Sequence, residues 1–222
     1  MNSDITTETI KKVYGRGALH YEEVMKQYWE FDRQKLVDSL ELGDGQKVLE
    51  VGVGTGKNLP YYPQSCEVAG IDFTPEMLQV ANEKLASLTH NSVTLMEMDA
   101  EKMTFADDEF DAALESFVLC VAPNPERVFS EIVRVTKSGA RIAIFDYCRS
   151  KESDTLKWQQ LIAPIARSTG FPPDVIVWDP LRDYEEIIRD AKLPLKVESI
   201  ERYENSNPFL LACSMLLTNQ KK

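Results

Sequence analysis

Residues 47–72 read KVLEVGVGTGKNLPYYPQSCEVAGID, and this stretch decides the fold. A short apolar run leads into Gly52-x-Gly54-x-Gly56, and a second apolar run ends on Asp72, twenty positions after the first glycine. A strand, a glycine-rich turn, a helix and a second strand ending on an acid are the parts of a nucleotide-binding βαβ unit. Glycine suits the turn because it adopts positive φ and lets the backbone approach a ligand closely. The stretch therefore predicts an α/β fold in which the Asp72 carboxylate accepts hydrogen bonds from a ribose diol.

The kind of nucleotide follows from the glycine spacing and from Glu50. A dinucleotide fingerprint spaces its glycines G-x-G-x-x-G and places a pyrophosphate at a helix N-terminus, whereas the spacing here is G-x-G-x-G. Glu50 lies in the strand just before the turn, and its carboxylate would repel a pyrophosphate but attract an ammonium group. These residues favour an adenosine ligand with a cationic tail and no phosphate, and Glu50 argues against the alternative of a dehydrogenase.

Three segments, in this order, resemble the class I S-adenosylmethionine (SAM) methyltransferases: VLEVGVGTG (48–56), GIDFTPEML (70–78) and MDAEKMTF (98–105). The resemblance implies an α/β, Rossmann-like sheet of seven strands, mostly parallel with an antiparallel last strand, and SAM as the cofactor. We expect an N-terminal helical cap or lid at 1–45. The SAM-binding domain is expected at 46–222, with inserted helices at about 150–192.

Two later segments, VAPNPERVFSEIVRV (121–135) and LIAPIARSTGFPPD (161–174), are similar to the bacterial soluble phosphatidylethanolamine N-methyltransferases. The quinone-methylating and thiol-methylating families share less of the chain. The resemblance implies an enzyme acting on a small-molecule or lipid acceptor, with the amine nitrogen of a phosphatidylethanolamine headgroup as the best match. A quinol, thiol or other small-molecule acceptor stays open, and so does a non-catalytic SAM-binding protein. The acidic composition departs from the more basic surface common in lipid enzymes of this type.

The resemblance also assigns roles around the cofactor. Glu50 would orient the methionine ammonium through backbone or water, Asp72 would hold the ribose, and Asp99 would accept from the adenine amine. The glycines of the turn would admit the methionine part. Phe73 or Met77 is expected to pack on the adenine ring, with core packing as the competing account. The expected cofactor-binding residues are Glu50, Gly52, Gly54, Gly56, Asp72, Phe73, Met77, Asp99, Ala100 and Phe117.

Methyl transfer is an in-line displacement at an activated carbon, so the protein chiefly supplies proximity and alignment. No nucleophile and base pair stands out in the sequence. An amine acceptor must be neutral to attack, which calls for a base or a path for the proton to solvent. The candidate catalytic residues are Tyr14, His20, Tyr21 and Tyr147. The first three flank Gly15 and Gly17, which are expected to join two helices of the lid, where aromatic faces near a sulfonium or ammonium gain cation–π attraction.

The composition excludes several classes of function. The 222 residues fit one domain, or one domain with a cap, and carry 25 Lys and Arg against 36 Asp and Glu, a net charge of −11. A nucleic-acid partner is disfavoured because phosphate recognition needs basic surface, and membrane contact is expected to be peripheral at most.

The four cysteines lack CxxC spacing and the two histidines stand far apart, so we expect buried thiols and no metal site. No signal or membrane segment is apparent, which favours a cytoplasmic protein of unknown oligomeric state.

The rest of the chain alternates strands and helices. A helix is expected between the glycine turn and the second strand, and another from Thr74, whose hydroxyl would cap it, to about Leu88. Further strands are expected at 92–98, 110–116, 140–147, 196–203 and 208–217, and further helices at 126–136, 153–167 and 183–191. A turn is expected at 169–173 because of its Gly and Pro content.

Overall fold

One mixed sheet forms the centre of the computed structural model, which describes residues 6–26, 31–89, 92–168, 178–204 and 211–222. Within these ranges the sheet has seven strands in the order β3-β2-β1-β4-β5-β7-β6. They are β1 (Lys47–Val51), β2 (Glu67–Asp72), β3 (Val93–Glu97), β4 (Phe110–Ser116), β5 (Thr136–Tyr147), β6 (Leu195–Glu204) and β7 (Leu211–Asn219). All pairings are parallel except those of β7, which runs antiparallel to β5 and β6. The predicted mostly parallel sheet with an antiparallel last strand is confirmed.

The chain order creates a gap at the carboxyl ends of the central strands. From β1 the chain continues to β2 and β3 on one side, and then crosses to β4 and β5 on the other. Loops leaving β1 and β4 therefore diverge, and open α/β sheets bind ligands at such a switch point. The central strands read as apolar runs because both sheet faces are covered by packed side chains. Three carboxyl side chains interrupt these runs near the carboxyl ends, Glu50 on β1, Glu115 on β4 and Asp146 on β5, and all three are buried.

The helices are α1 (Thr7–Gly17), α2 (Tyr21–Lys26), α3 (Arg33–Asp38), α4 (Pro75–Leu85), α5 (Pro125–Val135), α6 (Ser153–Ser168) and α7 (Tyr184–Asp190). Asp32, Asn124 and Asp183 cap α3, α5 and α7 by accepting a backbone N–H of the first turn. Helices α6 and α7 lie in the region expected to hold inserted helices. No helix among the described residues has the length and apolar character needed to span a membrane.

The predicted break of the N-terminal helix at Gly15 and Gly17 is wrong in position. Helix α1 runs through Gly15 to Gly17, and the chain turns at 18–20 before α2. A Cβ on Gly15 would lie 3.0 Å from Glu76 Oε2 on α4, the end of an exposed side chain that can move aside. A single glycine is therefore accommodated within α1 without ending it.

The helix predicted between the glycine turn and β2 is also wrong. Residues 52–66 contain a single turn of 3-10 helix, Leu59–Tyr61, and otherwise turns and bends. Pro60 and Pro63 lack the N–H groups that an α-helix there would need. Thr74 precedes α4 as expected but makes no capping hydrogen bond with its side chain.

Strand β5 begins at Thr136 rather than near residue 140, because the pairing with β4 shifts register between Phe110 and Ala112 and so keeps Thr136 paired. Gly139 has a φ of +83° within this irregular start. The remaining predicted elements agree with the structure to within a few residues, and β4 does so at both ends. The turn predicted at 169–173 and the beginning of the strand predicted at 208–217 lie outside the described residues.

Candidate functional site

A cavity that is partly open to solvent lies at the switch point. Open α/β sheets bind small molecules at this place. Its walls come from the ends of β1, β2 and β4, from the start of α4, from the segment after β3 and from the N-terminal helices. The lining residues are Ile10, Tyr14, Tyr21, Gly52, Gly54, Ile71, Asp72, Phe73, Thr74, Met77, Met98, Ala100, Ser116, Phe117, Val118 and Val121. Nine of the fourteen residues predicted from the sequence thus lie together, and the cavity is mainly apolar with few polar groups.

Asp72 is the ionisable carboxyl group in the cavity wall. Its Oδ2 accepts a hydrogen bond from Gly54 N at 2.8 Å, and its Oδ1 accepts one from Thr74 N at 2.8 Å. Burial raises the pKa of Asp72, and the backbone N–H donors oppose that rise. Both oxygens keep a lone pair beyond these bonds, so the carboxylate is fixed in position and can still accept from a ligand.

The three glycines of the turn serve different purposes, although all have positive φ. A Cβ on Gly52 would lie 1.9 Å from Val118 Cγ2, so the turn after β1 and the loop after β4 can meet only without that atom. Gly54 lies beside Asp72 and lines the cavity. Gly56 does not line it; a Cβ there would lie 2.8 Å from Leu59 Cδ1. Gly56 therefore serves packing behind the turn.

Ile71, Phe73, Met77, Met98 and Ala100 form an apolar part of the same cavity wall, called the apolar slot below. The Lys11 ammonium lies 4.4 Å from the centre of the Phe73 ring. Apolar walls with a few polar groups are typical of small-molecule sites.

Asp99, predicted to contact adenine, does not line this slot. Its Oδ1 accepts from Glu101 N at 2.9 Å, and its Oδ2 lies 3.5 Å from Lys102 Nζ. The flanking residues Met98 and Ala100 reach the cavity instead.

A family model described as a methyltransferase domain matches residues 49–144, which span β1 through most of β5 and supply most of the cavity walls. Residues 49–144 of this chain thus match a methyltransferase domain. The resemblance seen in the sequence is thereby confirmed.

Known proteins similar to the chain carry related names. A phosphatidylethanolamine N-methyltransferase of Cereibacter sphaeroides is 37% identical over 134 residues, 60% of this chain and 66% of that protein. A demethylmenaquinone methyltransferase of Paenarthrobacter aurescens is 34% identical over 116 residues, 52% of this chain and 44% of the relative. The chain therefore spans less than two thirds of the length of these relatives. The solved structure of a SAM-dependent methyltransferase from Aquifex aeolicus superposes with a TM-score of 0.61 at 23% identity, covering 96% of this chain and 98% of that one, which shows the shared fold.

Beneath the methyltransferase cavity, Glu50 belongs to a buried polar network and does not line the cavity itself. Its Oε1 accepts from Asn58 Nδ2 at 2.9 Å, and the same amide donates to Ser116 Oγ at 3.2 Å. Arg33 Nη1 donates to Asn58 Oδ1 at 2.6 Å. The network thus joins α3 to β1 and to Ser116 in the cavity wall. Burial raises the pKa of Glu50 from 4.5 to about 7, against the opposing hydrogen bond from Asn58.

The raised pKa of Glu50 predicts how stability changes with pH. The native state keeps the proton up to about pH 7, whereas the unfolded chain releases it near the ordinary value, so the native state binds more protons in between. Stability is therefore lost as pH rises through this window. Glu50→Gln keeps an acceptor for Asn58 and cannot ionise, so its stability relative to the unsubstituted protein should rise by about 2 kcal/mol between pH 5.5 and pH 8.

Urea unfolding at the two pH values measures this difference. Glu83→Gln, the same charge change on the exposed face of α4, is the matched control and should show no such rise. Equal pH dependence in the two variants would contradict a buried, proton-holding Glu50.

The N-terminal helices of the methyltransferase cap the cavity. Ile10 and Tyr14 of α1 and Tyr21 of α2 line it, and the two tyrosine rings lie 6.0 Å apart. Burial raises the pKa of both phenols above the ordinary value of 10.0. Both hydroxyls therefore stay protonated near neutral pH, which allows them to donate hydrogen bonds and does not suit them as bases.

Two other candidate catalytic residues lie elsewhere. His20 is exposed in the turn between α1 and α2 and does not line the cavity. Tyr147 is buried at the end of β5, with its ring centre 5.0 Å from that of Phe117. Tyr147 thus lies behind Phe117, and neither it nor His20 joins the set that the fold brings together.

A polar contact fastens the cap to the rest of the domain. Glu22 of α2 accepts a hydrogen bond from Thr55 Oγ1 at 2.7 Å and forms an ion pair with Lys84 of α4. Burial would raise the pKa of Glu22, but the hydrogen bonds from Lys84 and Thr55 outweigh it and lower the pKa. Glu22 is therefore ionised at neutral pH and joins α2 to α4.

The floor of the cavity depends on two buried carboxyl groups. Glu115 Oε1 accepts from Val118 N at 2.5 Å and Leu119 N at 3.1 Å. Asp146 Oδ2 accepts from Cys120 N at 3.0 Å. These bonds hold the loop after β4, where Phe117 has a φ of +61°. Burial raises the pKa of both carboxyl groups.

Seven cavity residues were not predicted from the sequence: Ile10, Ile71, Thr74, Met98, Ser116, Val118 and Val121. The place of Ile10 on the apolar face of α1 partly indicates that it is buried near the cavity. The position of Thr74 two residues after Asp72 indicates that it lies close to that carboxylate. The others, apart from Ile71 of β2, are set by how the loops after β3 and β4 pack.

Proposed function

We propose that this chain binds SAM and transfers its methyl group to an amine nitrogen of a small-molecule or lipid acceptor, with a phosphatidylethanolamine headgroup as the best candidate. The observation that carries the proposal is the fixed carboxylate of Asp72 at the switch point, in the same cavity as the apolar slot. A ribose diol and an adenine ring have matching chemistry.

The cavity residues fit this cofactor. Asp72 would accept from the ribose hydroxyls, and Phe73 and Met77 would cover the adenine ring. Gly52 and Gly54 would admit the methionine part, because both lack a side chain where the backbone borders the cavity. Glu50 would act on the ammonium indirectly, through Asn58 and Ser116.

When bound, SAM supplies a methyl group already activated by its sulfonium. The chain's own residues would align the acceptor and exclude water. Tyr14 and Tyr21 would contribute aromatic faces, which attract sulfonium and ammonium groups by about 0.5–2 kcal/mol, and protonated hydroxyls that donate hydrogen bonds. None of the described residues lining the cavity is a histidine or lysine, so the acceptor's proton would leave to solvent.

The acceptor can be identified by a transfer assay with labelled SAM. The 37% identity to a phosphatidylethanolamine N-methyltransferase supports phosphatidylethanolamine vesicles as the productive substrate, and the resemblance to a demethylmenaquinone methyltransferase makes a demethylmenaquinol the second candidate. We expect label in the lipid fraction and none with an alkyl thiol. Transfer to the quinol alone would replace the amine proposal, and no transfer to any acceptor would favour a SAM-binding protein without this activity.

The cap would serve as a lid over the cofactor. If so, Glu22→Gln should speed the dissociation of S-adenosylhomocysteine about three- to tenfold, because it weakens the partly buried pair with Lys84. Stopped-flow displacement measures this rate. Glu97→Gln is the matched control, since Glu97 forms an exposed pair at 3.8 Å with Lys11 of the same cap. Identical rates in the two variants would remove the lid role from Glu22.

A further inference from the structure

Two arginines share one carboxylate beside the cavity. Arg167 Nη2 of α6 donates to Asp179 Oδ1 at 2.8 Å, and Arg182 Nε lies 3.4 Å from Asp179 Oδ2. Asp179 Oδ1 also accepts from Leu181 N at 3.0 Å. The Nε atoms of both guanidinium groups are buried and make no hydrogen bond.

The balance of charge here is the reverse of that around two other arginines. Arg134 forms ion pairs with both Glu131 and Asp107, and Arg149 lies near both Asp183 and Glu186. Among the described residues, Arg167 and Arg182 form ion pairs only with Asp179, so this group of three carries one net positive charge in a chain of net charge −11. Its side chains are between 12% and 31% exposed. Unbalanced charge that is largely removed from water is costly, which favours a site for an anion.

The position of the pair connects it to the cavity. Arg182 Nη2 donates to Ala122 O at 2.9 Å, and the neighbouring Val121 lines the cavity. Asp179 N donates to Cys120 O at 2.8 Å, so the whole group is held against the loop after β4. An acceptor with its nitrogen in the cavity could therefore place a second group at the arginines.

We propose that Arg167 and Arg182 bind the phosphate of the acceptor, and that the acceptor is a phosphorylated amino alcohol, either free or as a lipid headgroup. Guanidinium groups bind phosphate oxygens through paired N–H donors, and each of these arginines has donors beyond those used by Asp179 and Ala122. This inference rests on the proposed amine methyltransferase function, because it names a second contact of the same acceptor.

Titration calorimetry of the full chain saturated with S-adenosylhomocysteine tests it, with phosphoethanolamine and ethanolamine as probes. Phosphoethanolamine should bind at least about tenfold more tightly than ethanolamine. Arg167→Gln should remove that advantage and leave ethanolamine binding unchanged. Arg149→Gln, an arginine that already faces two acids, is the matched control and should keep it.

A second arm separates the two sources of the phosphate. Vesicles of phosphatidylcholine with and without phosphatidylethanolamine are bound to the same variants. If Arg167→Gln weakens the binding of phosphoethanolamine in solution, the acceptor is a free phosphorylated amino alcohol. If it weakens only the binding of phosphatidylethanolamine vesicles, the acceptor is a lipid headgroup. If Arg167→Gln behaves like Arg149→Gln in both arms, the group only fastens the loop and the inference is wrong.

The test distinguishes this failure from failure of the proposed function. S-adenosylhomocysteine is titrated first into every variant. Absence of binding in the unsubstituted chain would overturn the proposed function itself, whereas normal binding together with indifference to phosphate would overturn only the arginine assignment. Arg167→Lys gives a further readout, since it keeps the charge but loses the planar fork and should recover only part of the affinity.

Discussion

Asp72→Ala is expected to weaken the binding of S-adenosylhomocysteine at least about 100-fold, because hydrogen bonds to a charged group contribute about 1.5–3 kcal/mol each and the ribose would form two. The carboxylate is already held by Gly54 N and Thr74 N, so a ligand finds it in place and its ordering adds little cost on binding. Calorimetric titration measures the affinity.

The fold should survive this substitution. The substitution removes the hydrogen bonds that Asp72 accepts from Gly54 N and Thr74 N, which lowers stability. It also removes a buried carboxyl group whose ionised form burial disfavours, as its raised pKa indicates, and this offsets part of the lost stability. Circular dichroism checks that. Asp99→Ala is the informative comparison, since Asp99 is the other acid assigned to the cofactor but does not line the cavity; its effect should be severalfold at most. Unchanged affinity in Asp72→Ala would contradict the ribose assignment.

Gly52→Ala should lower the free energy of unfolding by about 3–4 kcal/mol, from left-handed backbone strain together with overpacking. Gly52 has a φ of +71°, and the new Cβ would meet Val118 Cγ2 at 1.9 Å. The loop after β4 must shift to accommodate it, and because Val118 lines the cavity, cofactor affinity should fall as well. Urea unfolding gives the stability change.

Gly45→Ala separates the two causes. Gly45 has a φ of +73° but no atom within 4 Å of an added Cβ. Gly45→Ala should therefore lower the free energy of unfolding by about 1–2 kcal/mol, from backbone strain alone. Adding Val118→Ala to Gly52→Ala removes the clashing methyl and should recover at least half of the lost stability relative to Val118→Ala alone. Equal losses at Gly45 and Gly52, without recovery in the double variant, would show that the close approach of the two loops is not what requires glycine.

The fold followed from the sequence wherever apolar runs and turn residues stood close together in the chain. Strand β4 was predicted at its observed bounds because the pair Asp107-Asp108 before it is typical of a turn. The alternating order of strands and helices predicted a parallel sheet. The helix expected after the glycine turn is absent, since Pro60 and Pro63 lack the N–H groups that an α-helix needs and so override the general βαβ pattern. Gly15 was predicted to break the helix, but a helix tolerates an isolated glycine at a modest cost, and α1 continues through it.

The site was predictable where one motif supplied the residues, and not where distant segments meet. Asp72 and the glycines that line the cavity with it fall within one short stretch, from the end of β1 to the end of β2. Glu22 and Lys84 are 62 positions apart, and Arg33 reaches Asn58 across 25 positions, so no local pattern links them. Likewise, nothing local indicated that Tyr147 would lie behind Phe117 rather than in the cavity.

The central claim is that the cavity at the switch point takes an adenosine ligand with a cationic tail and no pyrophosphate. Calorimetric titration of the chain with S-adenosylhomocysteine, and then with NAD under the same conditions, tests it most directly. We predict saturable binding of S-adenosylhomocysteine with one site per chain and no binding of NAD. Binding of NAD, or of neither ligand, would contradict the account.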